Sequence, residues 1–164
     1  MTPPKIKLTE QKFWLLKSEP NHYSIDSLMR DRRTLWTGVR NYQARNYMMK
    51  EMAVGDQILF YHSNAAPPGI AGLAKIVATP LPDPTALDKK SEYFDPKATF
   101  DNPVWFCAEI EFEKKFLKLL ELSQLRADKK LKDLLLLAKG QRLSVQPVHS
   151  LHFHHIVELA KNHD

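Results

Sequence analysis

VWFCAEIEFE, residues 104–113, alternates without a break: Val104, Phe106, Ala108, Ile110 and Phe112 share one parity, and Trp105, Cys107, Glu109, Glu111 and Glu113 the other. A period of two marks a β-strand with one buried face, so the first set is expected inside and the second outside. Earlier in the chain, Phe13 to Ser18 reads as a short apolar strand closed by Glu19-Pro20, because the residue before a proline is held extended. Gln57 to Ser63 is β-prone and apolar on both parities until its tip, the pattern of a central strand covered on both sides. Asn64 to Gly69 makes a turn. Ile70 to Thr79 returns as a strand of small residues, in which Gly72 marks a bulge or a close backbone approach.

Between the strands, Ser24 caps a helix that turns Ile25 and Leu28 inward and ends near Asp31. Asn41 caps a second helix through about Met52, with Ala44, Tyr47, Met48 and Met52 along one buried stripe. Val54 to Asp56 turns the chain. Residues 121–138 read as one or two short helices, Arg142 to Val145 as a strand stopping before Pro147, and Ser150 to Lys161 as a closing helix. Residues 80–103 hold five prolines and little periodicity, a loop too long for a neutral connection. Without βαβ repetition, these elements predict an α+β fold with a bent or barrel-like sheet. One domain is expected over 13–164, after a loose tail over 1–12.

At 164 residues and 43% hydrophobic, the chain has enough apolar surface for one core. A lone cysteine, Cys107, excludes an internal disulfide and a thiolate zinc site. No apolar run approaches the roughly 20 residues of a membrane span, and residues 1–12 are too polar for a signal peptide. A cytoplasmic location is expected, or a nuclear one in a eukaryote. The net charge of +5 is uneven: residues 1–50 carry +6, residues 51–100 carry −2 and residues 101–164 carry +1. That distribution suits a polyanionic partner.

No P-loop and no GxGxxG occur, so no nucleotide cofactor is expected. His152, His154 and His155 have only Glu158 as a neighbouring carboxylate, and no metal is expected there. Asp83, Asp88, Asp95 and Asp101 lack the glycine and spacing of a calcium loop and read as solvated acids. Glu19, His62 and Ser63 are the nearest approach to a base and nucleophile, but nothing in their spacing requires catalysis.

WTGVRNYQARNYM, residues 36–48, suggests a different chemistry. Arg40 precedes a helix start capped by Asn41, and Arg45 follows one turn later. Two guanidinium groups with free helix amides make an anion site suited to phosphate. Trp36 and Tyr42 add rings on which bases stack. The same residues also fit a plainer role, as core aromatics and ion-pairing arginines.

Four blocks together resemble the EVE domain family of the PUA-like superfamily: Trp14 to Pro20, Trp36 to Asn46, Phe60 to Asn64 with Pro68 to Gly72, and Arg142 to Pro147. The match runs from about Phe13 to the last helix, departing at Asn21-His22 and in the leucine-rich stretch 134–137. The resemblance implies a PUA-like β-pseudobarrel with flanking helices, no cofactor, and a pocket that accepts a flipped, modified nucleobase of DNA or RNA. It implies reading rather than catalysis. An enzyme acting through the same pocket and a protein-interaction module are the alternatives. Carried over by position, Lys17, Ser18 and Glu19 become polar pocket groups, and Trp36, Val39, Arg40 and Asn41, with Arg45 beyond, form a wall and phosphate side. Tyr61, His62 and Ser63 form the opposite wall, and Ser144 and Val145 the rim.

Overall fold

The computed structural model describes residues 11–162. Six strands, β1 (Phe13–Ser18), β2 (Arg33–Leu35), β3 (Gln57–His62), β4 (Gly69–Pro82), β5 (Phe106–Glu121) and β6 (Val145–Val148), form one sheet in the order β2-β5-β4-β3-β1-β6. β1 runs parallel to β3 and the other neighbours are antiparallel. Four helices, α1 (Ile25–Asp31), α2 (Tyr42–Asn46), α3 (Leu122–Ala127) and α4 (Ser150–Lys161), pack against the sheet. The α+β class expected from the sequence is the one adopted, with β2 and β6 as the edges of an open sheet.

Strand alternation divides the core between the two faces. Trp14, Leu16, Ile58 and Phe60 point to one side, where they meet Leu28 of α1, Ala44 of α2 and Met48 in the π-helical turn that follows α2. Phe13, Leu15 and Leu59 point to the other, against Leu125 of α3 and Phe153, Ile156 and Ala160 of α4. Each large side chain so buried contributes about 1.5–3 kcal/mol. The caps form as the sequence requires: Ser24 closes a capping box on α1, and the Asn41 Oδ1 accepts the Ala44 amide of α2.

A buried carboxylate fastens the start of β1. Asp56, 2% exposed, accepts hydrogen bonds from Trp14 Nε1 at 3.0 Å, the Lys12 amide at 3.1 Å and the Ala53 amide at 3.0 Å. The turn before β3 is thereby tied to β1 at the place where their parallel register begins. Gly72 lies at a bulge between β4 and β5, where a Cβ would run into the Lys114 carbonyl. The close approach expected of that glycine is present.

Several expectations change. β2 was not anticipated, because three residues on a sheet edge carry no apolar periodicity. β4 and β5 continue to Pro82 and Glu121, since register shifts absorb the residues that break their alternation. Pro147 lies inside β6 rather than beyond a strand, as it can on an edge. Trp105 and Cys107 are 5% and 0% exposed although their parity is outward. The proline-rich segment covers them: Ala86 and Ala98 pack on Trp105, and Cys107 Sγ lies 3.7 Å from the Pro82 carbonyl. Burial, with the Asp83 charge nearby, pushes the Cys107 thiol up to about 12. Of the tail expected over 1–12, residues 1–10 lie outside the described residues. Gln11 and Lys12 bond to Gly55 and Asp56.

Asp56→Ala leaves three donors without their acceptor and is expected to lower the unfolding free energy by about 3 kcal/mol. A urea midpoint equal to that of the parent chain would remove Asp56 from the fold's supports.

Candidate nucleic-acid interface

The parallel pairing of β1 with β3 sets Ser18 opposite His62 and Lys17 opposite Tyr61 at the C-terminal ends of both strands. Alternation then separates the pairs. Ser18 and His62 follow Leu16 and Phe60 onto the Trp36 face, and Lys17 and Tyr61 follow Leu15 and Leu59 onto the other. Tyr61 is 4% exposed in the second core cluster, with Lys17 Nζ 5.9 Å from its ring centre. Partial burial holds the Lys17 amine below its usual range. The residues expected to wall one pocket therefore divide between the two sides of the sheet.

On the Trp36 face, three rings meet edge to face. Trp36 and Phe60 centre 5.5 Å apart, and Phe60 and His62 5.8 Å apart. Trp36 belongs to the core cluster and keeps 8% of its surface. His62 Nε2 accepts the Ile25 amide at 3.1 Å, which places its own proton on Nδ1. Burial, reinforced by Lys115 and opposed by Asp26, lowers its pKa, so the ring is neutral near pH 7. Ser18 Oγ donates to the Tyr23 carbonyl at 2.6 Å, and the Ser63 amide donates to the Ser18 carbonyl. Glu19, just past the end of β1, accepts from Asn64 Nδ2 at 2.5 Å and pairs with His22 at 3.2 Å. Val39 and Val145 are buried in the core cluster, Val145 with no exposed surface, so it packs behind the site rather than at its rim. The Ser144 carbonyl accepts the Lys17 amide.

The cationic side is already occupied. Every N–H of the Arg40 guanidinium has a partner within the chain: the Val39 and Tyr93 carbonyls, Thr85 Oγ1 and Asp83. Asp83 was expected to be a solvated acid and is instead 1% exposed. It accepts from the Gly38 amide at 2.8 Å, Arg40 Nη1 at 3.0 Å, and the amide and hydroxyl of Thr85 at 2.8 and 2.6 Å. Burial alone would raise its pKa, but the bonds from Thr85, Gly38 and Arg40 outweigh it and hold the carboxyl below the usual range. Gly38, at φ +85°, has the Tyr93 ring where a Cβ would stand, 2.8 Å from its nearest carbon. A side chain there would have to push the Tyr93 ring aside and adopt a strained φ.

Around Trp105 the cations and rings alternate. The Arg40 guanidinium is 5.5 Å from the Tyr93 ring centre and 5.2 Å from that of Trp105, on which Tyr42 stacks at 4.9 Å. Arg45 lies 4.8 Å from the Tyr42 ring centre and donates to the Val104 carbonyl and Asn46 Oδ1. Asn41 is exposed beside them with its oxygen spent on the α2 cap. Asp83, Tyr93 and Trp105 complete this wall. The sequence's one signal for Asp83 was Thr85 two positions on, the spacing at which an aspartate bonds its own downstream backbone.

His155 Nε2 lies 2.7 Å from Asp128, a carboxylate remote in sequence. No three His, Cys, Asp or Glu side chains converge to hold a metal ion among the described residues. No helix among them is long and apolar enough to cross a membrane.

The family model of the EVE domain matches residues 12–159. Thymocyte nuclear protein 1 of Danio rerio is 42% identical over 165 aligned positions, covering 89% of this chain and 71% of that protein. A hypothetical protein from Leishmania major superposes with a TM-score of 0.88 at 45% identity, covering 93% of this chain and 96% of that one. The human THYN1 protein in complex with 5-methylcytosine containing DNA superposes with a TM-score of 0.84 at 36% identity, covering 92% and 98%. Matched along almost its whole length by the family model and by relatives of this identity, the chain belongs to the EVE domain family.

Proposed function

We propose that this chain is a non-catalytic nucleic-acid reader that receives a modified cytosine of DNA at the strand ends beside Trp36. The observation that carries the reading is the likeness over 92% of the chain to the human THYN1 protein, whose crystal structure is a complex with DNA containing 5-methylcytosine. A base swung out of its stack costs a few kcal/mol, which the protein must recover by stacking and edge contacts. Tyr93, 40% exposed on the loop wall, offers a ring for stacking. Glu19, just past the end of β1, is an acceptor for an exocyclic amino group such as cytosine N4. His62, Ser18, Ser63, Asn41 and Ser144 supply further polar groups around the same strand ends and helix start.

Other residues act indirectly. Arg40 holds the loop wall through Asp83 rather than reaching out to a phosphate. Arg45 keeps the neighbouring ring stack in place. Val39 and Val145 support the site from the core, and Lys17 and Tyr61 support the strand ends from the far face. A reader rather than an enzyme accords with how the polar groups are used: Ser18 donates to a backbone carbonyl and His62 Nε2 accepts a backbone amide, so neither activates the other.

Titration of fluorescent duplexes that differ only in one 5-methylcytosine tests the reading. The methylated duplex is expected to bind more tightly, with affinity falling as salt rises, and to be recovered uncut. Glu19→Gln is expected to weaken binding of both duplexes by about 1–3 kcal/mol, because the N4 amino group is common to cytosine and 5-methylcytosine. Equal affinity for both duplexes would refute modified-base reading, and recovered fragments would support an enzyme.

Asp83→Asn tests the wall. Removing one partner of so buried a pair is expected to cost about 3 kcal/mol of stability at pH 7. Because the folded-state pKa of Asp83 lies below the unfolded value near 4, its contribution is complete above that value and fades as pH falls through the folded pKa. Urea midpoints of parent and variant should therefore converge in acid. A constant gap down to the lowest measurable pH would mean that the carboxylate charge is not what holds the wall.

A further inference from the structure

A cavity lies on the other side of the sheet, over the second core cluster. It is a groove of about 970 Å³ between β6, the start of α4 and the short helical turns of residues 129–137. Leu134, Leu135 and Leu151 give it apolar lining, and Leu151 is 72% exposed in the first turn of a helix whose other apolar residues are buried or half-buried. His149, His152 and Lys130 stand at its sides. Within the lining, Lys130 is opposed by Asp133, and the segment beside the groove tips the balance to basic with exposed Arg126, Lys129 and Lys132 against an Asp128 already paired with His155. Pro147 on the exposed edge of β6 has no amide hydrogen to offer an added strand, so the groove suits side-chain docking instead.

We propose that this groove binds an acidic amphipathic peptide helix, with leucine-type side chains on the apolar lining and carboxylates facing the lysines. The volume accommodates several anchors of one helix face, spaced i, i+3, i+4 and i+7. Charge complementarity selects the acidic partner, and the leucine lining favours a peptide over a phosphate backbone, which has no apolar side chains to bury. The site shares no lining residue with the strand ends beside Trp36 and does not depend on the DNA-reading proposal.

Fluorescence anisotropy with a labelled peptide tests this, using leucines at those four positions and glutamates and alanines elsewhere, against an isomer with the leucines scattered around the helix. The striped peptide is expected to bind at least about tenfold more tightly than the scattered one. Leu151→Asp, an exposed first-turn change that favours the helix dipole, should abolish the difference, and Lys130→Glu should weaken binding and its salt dependence. A 5-methylcytosine duplex should leave the peptide bound. Equal binding of the two peptides, or an unaffected Leu151→Asp protein, would overturn the proposal. Displacement by the duplex, together with weaker duplex binding by Leu151→Asp, would assign the groove to nucleic acid instead.

Discussion

An ionised carboxylate enclosed by protein must be met by donors on nearly every side. Asp83 meets that demand with two groups from Thr85, the Gly38 amide and Arg40. Those donors come from two segments that are far apart in sequence, so neither the 36–40 stretch nor the proline-rich loop reaches its arrangement without the other. Exchanging the pair for apolar residues of similar shape could leave stability little changed. What the charges secure is one definite placement of Tyr93 against Gly38 and of Arg40 against Trp105. A wall ordered before any ligand arrives loses less side-chain freedom on binding.

Most of the architecture was legible because it follows from local rules. The strand apolar on both parities, β3, lies inside the sheet between β4 and β1, and the Ser24 and Asn41 caps and the closing helix stand where expected. What could not be read depended on contacts between distant segments. Outward parity predicted solvent for Trp105 and Cys107, but parity is blind to a loop that folds back over the strand. The same blindness made Asp83 a surface acid. At the candidate site, the blocks did not reveal that adjacent residues such as Lys17 and Ser18 serve opposite faces, a separation that the pleat imposes on neighbours.

Chemical restraint at the strand ends follows from the backbone. Ser18 Oγ and His62 Nε2 are each bonded to the chain around Tyr23 to Ile25 rather than to one another. Glu19 keeps a larger exposed share, held among the described residues by the Asn64 and His22 side chains. Such a carboxylate can exchange partners at little cost, whereas the buried groups cannot. The sheet thus separates a rigid frame from a small adaptable edge.

Because Cys107 is enclosed beneath the proline-rich segment and its thiol is kept protonated at neutral pH, the nucleophilic thiolate is scarce and shielded at once. The chain's lone sulfhydryl is thereby insulated from oxidants and alkylating agents while the cover stays down. Its modification rate becomes an internal gauge of how often that cover lifts, readable without any added label on the surface.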